Sequence, residues 1–226
     1  MNIIVSGASQ GIGFQTALRF AEKGHHLLAI ARTETKLQKL KNKSNQIEIL
    51  AADLLDSSLK EKVMNKINAW DKVDVLLNNA GQLINCPFED TTPSDFLAQY
   101  QSNVISAVNL TQAVSEKLTK GSHIINISSM GGFQGSSKFP GLSAYSSAKA
   151  ALCVLSECMA EEYKSRGIRV NALALGAVKT EMLKKAFPEY EPPVSAEQMA
   201  DYLVDFAIKG GAFYNGKILP LALSNP

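Results

Sequence analysis

A tyrosine and a lysine four residues apart, Tyr145 and Lys149, give the clearest indication of chemistry in this chain. On a helix, side chains at this spacing project from one face. A cation beside a phenol favours the phenolate, so we expect Lys149 to lower the pKa of Tyr145 from about 10. Such a phenol can exchange a proton near neutral pH. Because the same spacing also occurs on solvated helix faces, the context of the pair decides its meaning.

That context is a glycine-rich loop near the N-terminus. The apolar run Ile3–Val5 leads into Ser-Gly-Ala-Ser-Gln-Gly-Ile-Gly, and a helix-forming segment follows from Phe14 to Lys23. Gly7, Gly11 and Gly13 permit a tight turn, a close approach of backbone to a phosphate, and close helix–sheet packing. The helix N-terminus supplies N–H donors and a positive dipole end for a pyrophosphate. The loop predicts a dinucleotide site, with a turn that binds no ligand as the alternative.

The end of the second strand-like run indicates which dinucleotide binds. A site for NAD usually has an acidic residue there, about 20 residues past the glycine loop, to bind the adenosine ribose. Here that position is Ala31, and Arg32 follows at once. A guanidinium suits a ribose 2′-phosphate through its permanent charge and its planar fork of donors. We expect NADP in preference to NAD, with an ordinary surface role for Arg32 as the alternative.

The elements that must position these residues alternate between strand and helix. Apolar runs predict strands at Ile3–Val5, His26–Ala31, Gln46–Ala51, Asp74–Leu77, His123–Ile127, Ile168–Leu173 and Lys217–Leu221. Segments of helical period begin near Gly11, Thr33, Ser57, Ser102, Tyr145 and Ser195. Continuous apolar strands separated by helices predict a parallel sheet covered on both faces, in a doubly wound α/β fold. No linker or internal repeat divides the chain, so we expect one domain over residues 1–226.

Composition and charge exclude several classes of protein. With 226 residues, of which 46% are hydrophobic and 19% charged, the chain is typical of a globular protein with a sizeable core. A formal net charge of +2 favours neither nucleic acid nor a membrane surface as a partner. The basic stretch Lys36–Lys43 is better explained as the wet face of a helix. The glycine loop comes too early for a signal peptide and no apolar run is long enough to span a membrane, so we expect a cytoplasmic protein.

The cysteines and histidines do not predict a metal site. Cys86, Cys153 and Cys158 are odd in number and match no metal-ligand spacing, which favours reduced thiols in the cytosol. Cys153 and Cys158 lie in an apolar helical pattern and are expected in the core. None of the three histidines has a ligand partner at a useful spacing, so we predict no metal.

Over essentially its full length the chain resembles the short-chain dehydrogenase/reductase family. The motifs that carry the resemblance are Gly7-x3-Gly11-x-Gly13, Asn78-Asn-Ala-Gly81, Asn103, Ile124-Ile-Asn-Ile-Ser-Ser129, Tyr145-x3-Lys149 and Gly176-x-Val178-x-Thr180. Each motif is modest alone, but their order and spacing together make a chance match very improbable. The resemblance implies a Rossmann-type, doubly wound parallel sheet in three layers, with strand order 3-2-1-4-5-6-7. It also implies a nicotinamide cofactor across the carboxyl edge of that sheet.

The resemblance implies catalytic roles for four residues. Tyr145 would be the general acid that protonates a carbonyl oxygen as hydride arrives, and Lys149 would bind the nicotinamide ribose and lower the pKa of Tyr145. Ser129 would hold and polarise the carbonyl oxygen. Asn103, at the start of the helix after the fourth strand, would anchor a water that connects Lys149 to solvent. Donors aimed at an oxygen that gains negative charge stabilise the transition state.

The resemblance also implies a set of cofactor contacts. Asp53 would bind the adenine edge, with an N-cap for the next helix as the alternative, and Asn78 is expected to be structural. The residues implied to bind the cofactor are Gly7, Ser9, Gln10, Gly11, Ile12, Gly13, Arg32, Asp53, Leu54, Asn79, Ala80, Gly81, Tyr145, Lys149, Gly176, Val178 and Thr180.

The chain departs from the family pattern in three places. Ser129 and Tyr145 are separated by a longer gap than is usual, with the extra residues in Gly135–Leu142, so Ser143 is an alternative to Ser129. Alignment on the preceding strand favours Ser129, with Ser128 facing the other way. Leu175 replaces a proline before Gly176, which removes no reacting group. The segment 181–194 is short for a substrate lid, which predicts an open pocket.

Taken together, the residues predict an NADPH-dependent reductase of a ketone or aldehyde. An NAD-dependent alcohol dehydrogenase of the same family and a non-catalytic dinucleotide sensor are the alternatives. Apolar residues of the loop 130–144 and the lid suggest an apolar pocket lining: Phe133, Phe139, Leu142, Met182 and Phe187. Two helices are apolar on more than one face, which predicts either burial within one chain or a homodimer or homotetramer. Their apolar residues are Val104, Ile105, Val108, Leu110 and Val114, and Ala148, Ala151, Leu152, Val154, Leu155 and Met159.

Overall fold

A parallel sheet forms the centre of the fold. The computed structural model describes residues 1–223, so the last three residues of the predicted domain lie outside the described part. The strands are β1 (Asn2–Ser6), β2 (His26–Ala31), β3 (Ile47–Ala51), β4 (Val75–Asn78), β5 (His123–Ser129), β6 (Arg169–Leu175), β7 (Val178–Lys179), β8 (Val194–Ser195) and β9 (Lys217–Leu221). Seven of them pair in the order β3-β2-β1-β4-β5-β6-β9, while β7 and β8 form a separate pair. The predicted order 3-2-1-4-5-6-7 is confirmed, with β9 as the seventh strand.

Helices connect the strands and cover both faces of the sheet. They are α1 (Gly11–Glu22), α2 (Glu34–Lys41), α3 (Leu59–Lys66), α4 (Pro93–Tyr100), α5 (Ser106–Ala113), α6 (Ser143–Glu162), α7 (Glu181–Ala186) and α8 (Ala196–Lys209). A π-helical turn, Gln101–Ile105, joins α4 to α5. None of the helices formed by residues 1–223 has the length and apolarity that crossing a bilayer requires.

The strands are apolar on both faces because they feed two separate cores. Ile3 and Val5 of β1 belong to one core, whereas Ile4 between them belongs to the other. The first core is covered by α1, α2 and α8, and it buries Phe20 of α1 completely. The second is covered by α3, α5 and α6. Apolar burial of about 25 cal/mol per Å² on two faces explains why the strands are continuous apolar runs.

The carboxyl ends of the strands all reach the same edge of the sheet, because the strands are parallel. Asn78 at the end of β4 lies beside Asn126 of β5. Its side chain donates to Asn126 Oδ1 at 2.8 Å and to Thr111 Oγ1 at 3.1 Å. Asn78 is buried, in agreement with the predicted structural role. Loops that leave this edge are thereby brought together into one region.

Two local predictions are wrong. The helix expected near Ser102 begins at Pro93, where Thr92 forms a capping box with Asp95 that the apolar pattern did not reveal. Cys158 is exposed on α6, whereas Cys153 is buried as expected. The segment 181–194, to which no secondary structure was assigned from the sequence, contains α7 and leads into β8.

Candidate active site

A cleft of about 800 Å³ opens at the carboxyl edge of the sheet. It runs from the ends of β2 and β3, past the glycine loop, to α6 and the lid, defined as residues 180–194. All but one of the residues predicted to act in catalysis or cofactor binding line it. They are Gly7, Ser9, Gln10, Gly11, Ile12, Arg32, Asp53, Leu54, Asn79, Ala80, Gly81, Asn103, Ser129, Tyr145, Lys149, Gly176, Val178 and Thr180.

The exception is Gly13, which packs below the floor of the cleft. A Cβ on Gly13 would lie within 3.0 Å of Asn79 Nδ2 and of the Gly7 carbonyl oxygen. Gly7 itself has a φ of +67°, and a Cβ there would lie 2.8 Å from Ala80 Cα. The predicted cofactor contact at Gly13 stays a prediction, and what the structure shows there is close packing against Asn79 and Gly7. The glycine permits the close approach of α1 to the sheet.

The glycine loop is fixed to the end of β4 by hydrogen bonds. Ser6 Oγ accepts from the backbone N–H groups of Asn79 and Ala80, each at 3.1 Å. The Asn79 side chain donates to the Ser6 carbonyl at 3.0 Å. These bonds hold two chain segments that are distant in sequence side by side, so the backbone of both faces the cleft in a fixed arrangement.

Two cations stand at the end of the cleft formed by β2 and α2. Arg32 is exposed and lines the cleft, and none of the ion pairs within residues 1–223 includes it. Lys36 also lines the cleft, where it donates to Gln10 Oε1 and lies 3.8 Å from Glu181 Oε2. Sequence reasoning placed Lys36 only on a wet helix face. Its position four residues after Arg32 was the signal that could have found it.

Asp53 follows β3 at the same end of the cleft. Its Oδ1 accepts from the backbone N–H of Leu55 at 2.9 Å, which closes a local turn. The N-cap of α3 is Ser58, so the alternative of an N-cap at Asp53 is wrong. The carboxylate is exposed beside Leu54 in the cleft wall, where it can accept a hydrogen bond from a ligand.

Tyr145, Lys149 and Ser129 meet at the opposite end. Ser129 Oγ accepts from the Gly131 N–H at 3.2 Å, which fixes the hydroxyl beside Tyr145. Lys149 is buried, and its Nζ donates to the carbonyl oxygen of Ile127 at 2.8 Å. Ser128 donates to the Lys149 carbonyl at 2.9 Å, so it ties β5 to α6. Ser143 is half-buried; its hydroxyl oxygen is buried without a hydrogen-bond partner among the described residues, and the residue does not line the cleft.

The pKa values at this end are set mainly by burial. Burial raises the pKa of Tyr145 to about 12, although the Ser129 hydroxyl opposes that rise by favouring the phenolate. Burial lowers the pKa of Lys149 to about 8, because it penalises the charged ammonium. Lys149 Nζ lies 5.8 Å from the centroid of the Tyr145 ring. The predicted lowering of the Tyr145 pKa is therefore wrong in this structure, since desolvation raises the pKa by more than the Ser129 hydroxyl lowers it.

Asn103 lies in the π-helical turn between α4 and α5, and not at a helix start as expected. Its Nδ2 donates to the carbonyl oxygens of Gln82 and Gln99, both at 2.9 Å. A Cβ on Gly81 would lie 2.5 Å from Asn103 Oδ1 and 3.3 Å from Lys149 Nζ. Asn103 and Lys149 thus approach each other across a glycine. The π-helical turn is what aims the Asn103 side chain into the cleft.

The remaining walls come from the lid and from the substrate loop, defined as residues 130–144. Cys86 N–H donates to the Gly141 carbonyl at 2.9 Å, and the Asn85 side chain donates to the Ala186 carbonyl at 2.8 Å. Of the predicted apolar lining, Phe133 is the one residue that does not line the cleft. The others do, together with residues that the sequence did not single out: Leu83, Met130, Leu183 and Tyr190.

The cleft fits a nicotinamide dinucleotide by its shape and donors. Gly7 and Gly13 allow close packing of the loop and α1, since added Cβ atoms there would collide with neighbours, and the N-terminus of α1 at Gly11 lines the cleft, where it can bind a pyrophosphate. Arg32, Lys36 and Asp53 provide charged partners at one end, and Lys149 provides an ammonium at the other. The spread of these groups matches a ligand with a pyrophosphate between two nucleoside ends.

Comparison with known proteins agrees with this geometry. The family model described as short chain dehydrogenase matches residues 1–191. A fatty acyl-CoA reductase of Acinetobacter baylyi is 33% identical over 216 residues, which are 91% of this chain and 72% of that protein. Carbonyl reductase (NADPH) 2 of Sus scrofa is 33% identical over 186 residues, with 80% of this chain and 73% of that protein covered.

Solved structures share the whole architecture. ElxO with NADP bound is 26% identical, with a TM-score of 0.86 and coverage of 97% of this chain and 96% of that chain. A dehydrogenase/reductase from Sinorhizobium meliloti has the same identity, 26%, and the same TM-score, 0.86, over 97% of this chain and 92% of that one. On the family match and the shared fold, this chain belongs to the short-chain dehydrogenase/reductase family of oxidoreductases.

Proposed function

We propose that the protein is an NADPH-dependent reductase that converts a ketone or aldehyde to an alcohol. The observation that carries the proposal is the meeting of Ser129, Tyr145 and Lys149 at one end of a cleft that fits a dinucleotide. A bound nicotinamide cofactor supplies the hydride, and the protein supplies the proton and the orientation. Carbonyl reductase (NADPH) 2, to which the chain is similar, has the activity its name states.

Tyr145 suits the role of proton donor in the direction of reduction. With a pKa raised to about 12, its phenol is protonated at neutral pH and can donate to a carbonyl oxygen that gains negative charge. Ser129, whose oxygen accepts from the Gly131 N–H, has its own hydroxyl proton available for the same oxygen. As Tyr145 gives up its proton, the Lys149 ammonium stabilises the phenolate that forms. Asn103, which lies beside Lys149, anchors the path by which a proton returns from solvent.

Arg32 and Lys36 support NADP as the cofactor. Both line the cleft at the carboxyl end of β2, where a ribose 2′-phosphate would lie, and Ala31 leaves no acid to repel it. The similarity to ElxO, whose structure holds NADP, agrees with that choice. The test is the ratio of kcat/KM for NADPH and NADH, which Arg32→Ala should reduce by about tenfold or more. A wild-type ratio near one would overturn the preference for NADP.

The test of the activity is oxidation of NADPH over a panel of ketones, aldehydes and diketones. Tyr145→Phe is the blank, and it should lose about a thousandfold or more of kcat while it still binds NADPH. Retained turnover in Tyr145→Phe, or no turnover of any carbonyl by the wild type, would overturn the proposal.

A matched pair of serine variants identifies the serine that acts. Ser129→Ala should lower kcat by about a hundredfold, because it removes a donor to the developing oxyanion. Ser143→Ala is the control, since the Ser143 hydroxyl oxygen is buried outside the cleft and its loss should leave kcat within a few-fold. The reverse result would assign the role to Ser143.

We also propose a homodimer or homotetramer formed through α4 and α6. Of the apolar residues predicted on the two helices, Leu110 and Leu152 pack within the chain, whereas Ile105 and Val154 are 42% and 58% exposed. Leu97 of α4, which was not part of that prediction, is 64% exposed. An exposed apolar strip on packed helices favours association. Sedimentation velocity at micromolar concentration should show an oligomer that Val154→Asp dissociates; a monomeric wild type would contradict it.

Three free thiols support a reducing compartment, and we place the protein in the cytoplasm.

A further inference from the structure

The walls around the reacting end of the cleft are joined into one enclosure. The substrate loop connects Ser129 at its start to Tyr145 just past its end, so its path is set by the two residues that would hold a carbonyl oxygen. Phe139 of this loop meets Phe187 of the lid edge to face, with ring centroids 6.5 Å apart. Asn85 adds the hydrogen bond to the lid at Ala186. A substrate whose carbonyl meets Tyr145 must therefore place its remainder against these walls.

The charged side chains that line the cleft either lie at its other end, away from this enclosure, or already contact a protein partner. They are Arg32, Lys36, Asp53, Lys149 and Glu181. The first three stand at the ends of β2 and β3 and on α2, and Glu181 faces Lys36 at 3.8 Å. Lys149 is held by the Ile127 carbonyl.

The substrate loop has a cation of its own, Lys138, but it is turned away from the cleft. Its Nζ donates to the Phe133 carbonyl at 2.7 Å and to Ser136 Oγ at 2.8 Å, both within the same loop. Lys138 does not line the cleft. The enclosure thus offers a ligand apolar and aromatic surface, without a charged partner among the described residues.

The apolar side chains of the enclosure keep exposed surface toward a ligand. Phe139 is 41% exposed, Met182 is 36% exposed and Tyr190 is 50% exposed, although all three line the cleft. Phe187 and Leu142 complete the lining, and Leu142 is buried. Aromatic rings favour edge-to-face or offset contact with another ring, beyond the area that they bury. A carboxylate in the same place would lose its hydration without gaining an ion pair.

We propose that the substrate is a neutral carbonyl compound with an aromatic or similarly bulky apolar ring, held against Phe139 and Phe187, and that acidic carbonyl compounds are rejected. This proposal rests on the proposed reductase function and specifies its substrate class. The carbonyl oxygen lies at Ser129 and Tyr145, and the ring lies between the substrate loop and the lid.

Three related ketones test it: benzoylpropionate, its ethyl ester, and ethyl levulinate, which has a methyl group in place of the ring. With wild-type holoenzyme and NADPH, kcat/KM for the aryl ester should exceed that for the aryl acid by about a hundredfold. It should exceed that for ethyl levulinate by about tenfold or more. Equal kcat/KM for the acid and the ester, or for the aryl and methyl esters, would overturn the proposal.

Variants assign the effect to the two rings. Phe139→Ala and Phe187→Ala should each lower kcat/KM for the aryl ester by several-fold more than kcat/KM for ethyl levulinate, so the ratio of the two values falls. Phe213→Ala is the matched control, because Phe213 is 80% exposed and lies outside the cleft lining. An equal effect of all three variants would overturn the placement of the ring.

A binding measurement separates this proposal from the proposed function. Calorimetric titration of Tyr145→Phe loaded with NADP should show that the aryl ester binds and that the aryl acid binds about a hundredfold more weakly. If wild type reduces the acid but not the ester, the substrate class is wrong and the reductase function stands. If the ester binds selectively but no carbonyl is reduced, the reductase function is wrong. If neither the aryl ester nor the aryl acid binds and neither is reduced, the proposed substrate class is wrong.

Discussion

The two ends of the cleft are built from different parts of the chain. At the glycine-loop end the surface is largely backbone: Ser6 binds the N–H groups of Asn79 and Ala80, and glycines replace side chains. At the substrate end the surface is side chains from the substrate loop and the lid, such as Phe139 and Phe187. The first end lies on strands fully buried in the sheet, whereas the second lies on connections that meet only in the folded protein.

The two ends of the cleft differ in how strictly they constrain the amino-acid sequence. A backbone surface can approach a pyrophosphate only where side chains are missing, so its requirements are strict and few sequences satisfy them. A side-chain surface has no such requirement, because many combinations of apolar residues fill the same walls. Under the proposed function, the glycine-loop end would bind a cofactor common to many enzymes, and the substrate end would determine which carbonyl compound is reduced.

The largest effect is expected from a methyl group at the glycine-loop end. Gly13→Ala should destabilise the protein by about 3 kcal/mol and abolish NADPH binding, because its Cβ would lie within 3.0 Å of Asn79 Nδ2 and the Gly7 carbonyl. Chemical denaturation and fluorescence titration with NADPH measure the two effects.

The matched control is Gly24→Ala, at the turn after α1. Gly24 has a φ of +80° but nothing within 4 Å of an added Cβ. Its replacement should cost only about 1 kcal/mol of stability and leave NADPH affinity unchanged. If Gly13→Ala behaves like Gly24→Ala, the glycine-loop end tolerates side chains and the contrast with the substrate end fails.

Local patterns in the sequence were enough to predict a parallel sheet and a glycine loop that leads into a helix, because continuous apolar strands and glycines at fixed positions are local features. The order of the strands was implied by the resemblance to the family, and the Tyr145–Lys149 spacing gained its meaning only from the context of the glycine loop. All predicted catalytic residues line the same cleft, since parallel strands bring their carboxyl ends to one edge. Their chemical roles stay predictions.

Three of the differences from the sequence predictions depend on tertiary contacts, whereas the start of α4 at Pro93 has a local signal in the capping box of Thr92 and Asp95. In the π-helical turn, the Asn103 side chain donates hydrogen bonds to the carbonyl oxygens of Gln82 and Gln99, and no local sequence pattern predicts this turn. The pKa of Tyr145 depends on how deeply the Tyr145 side chain is buried, whereas the neighbouring charge of Lys149 is all that can be seen in the sequence. Lys36 looked like a surface lysine because its place in the cleft requires the glycine loop and α7 beside it.

The next largest effect is expected from Lys149, which lies between the two ends of the cleft and should determine how kcat/KM depends on pH. Burial lowers the pKa of Lys149 to about 8, so the ammonium is present below that pH and lost above it. If the cation is needed, kcat/KM for reduction should be level below about pH 8 and fall about tenfold per pH unit above it. Tyr145, with a pKa raised to about 12, should add no further limb below pH 10.

Lys149→Arg is the control for that assignment, because a guanidinium stays charged at all accessible pH values. Its remaining activity should stay level to about pH 10. A wild-type profile that is level through pH 9, or a falling limb retained in Lys149→Arg, would show that another group titrates.

A smaller effect is expected from Lys36, which extends the charged end of the cleft. Lys36→Ala should weaken NADPH binding by about fivefold and leave NADH binding unchanged, because one partly exposed cation contributes about 1 kcal/mol to a phosphate. Lys39→Ala on the same helix is the control, since Lys39 is exposed and does not line the cleft. Equal losses in both variants would indicate only long-range charge, and an equal loss for NADH would show that the 2′-phosphate is not the partner.

The smallest effect should come from Asn85, which joins the substrate end by a single hydrogen bond to the Ala186 carbonyl. Asn85→Ala should raise KM for the carbonyl substrate about threefold, because the lid loses about 0.5–1 kcal/mol of positioning, and should leave kcat and NADPH affinity unchanged. Asn109→Ala, which removes a comparable bond to the Leu54 carbonyl, is the control and should not change that KM. A fall in kcat or in NADPH affinity in Asn85→Ala would mean that the two ends of the cleft are coupled, against the separation proposed for them.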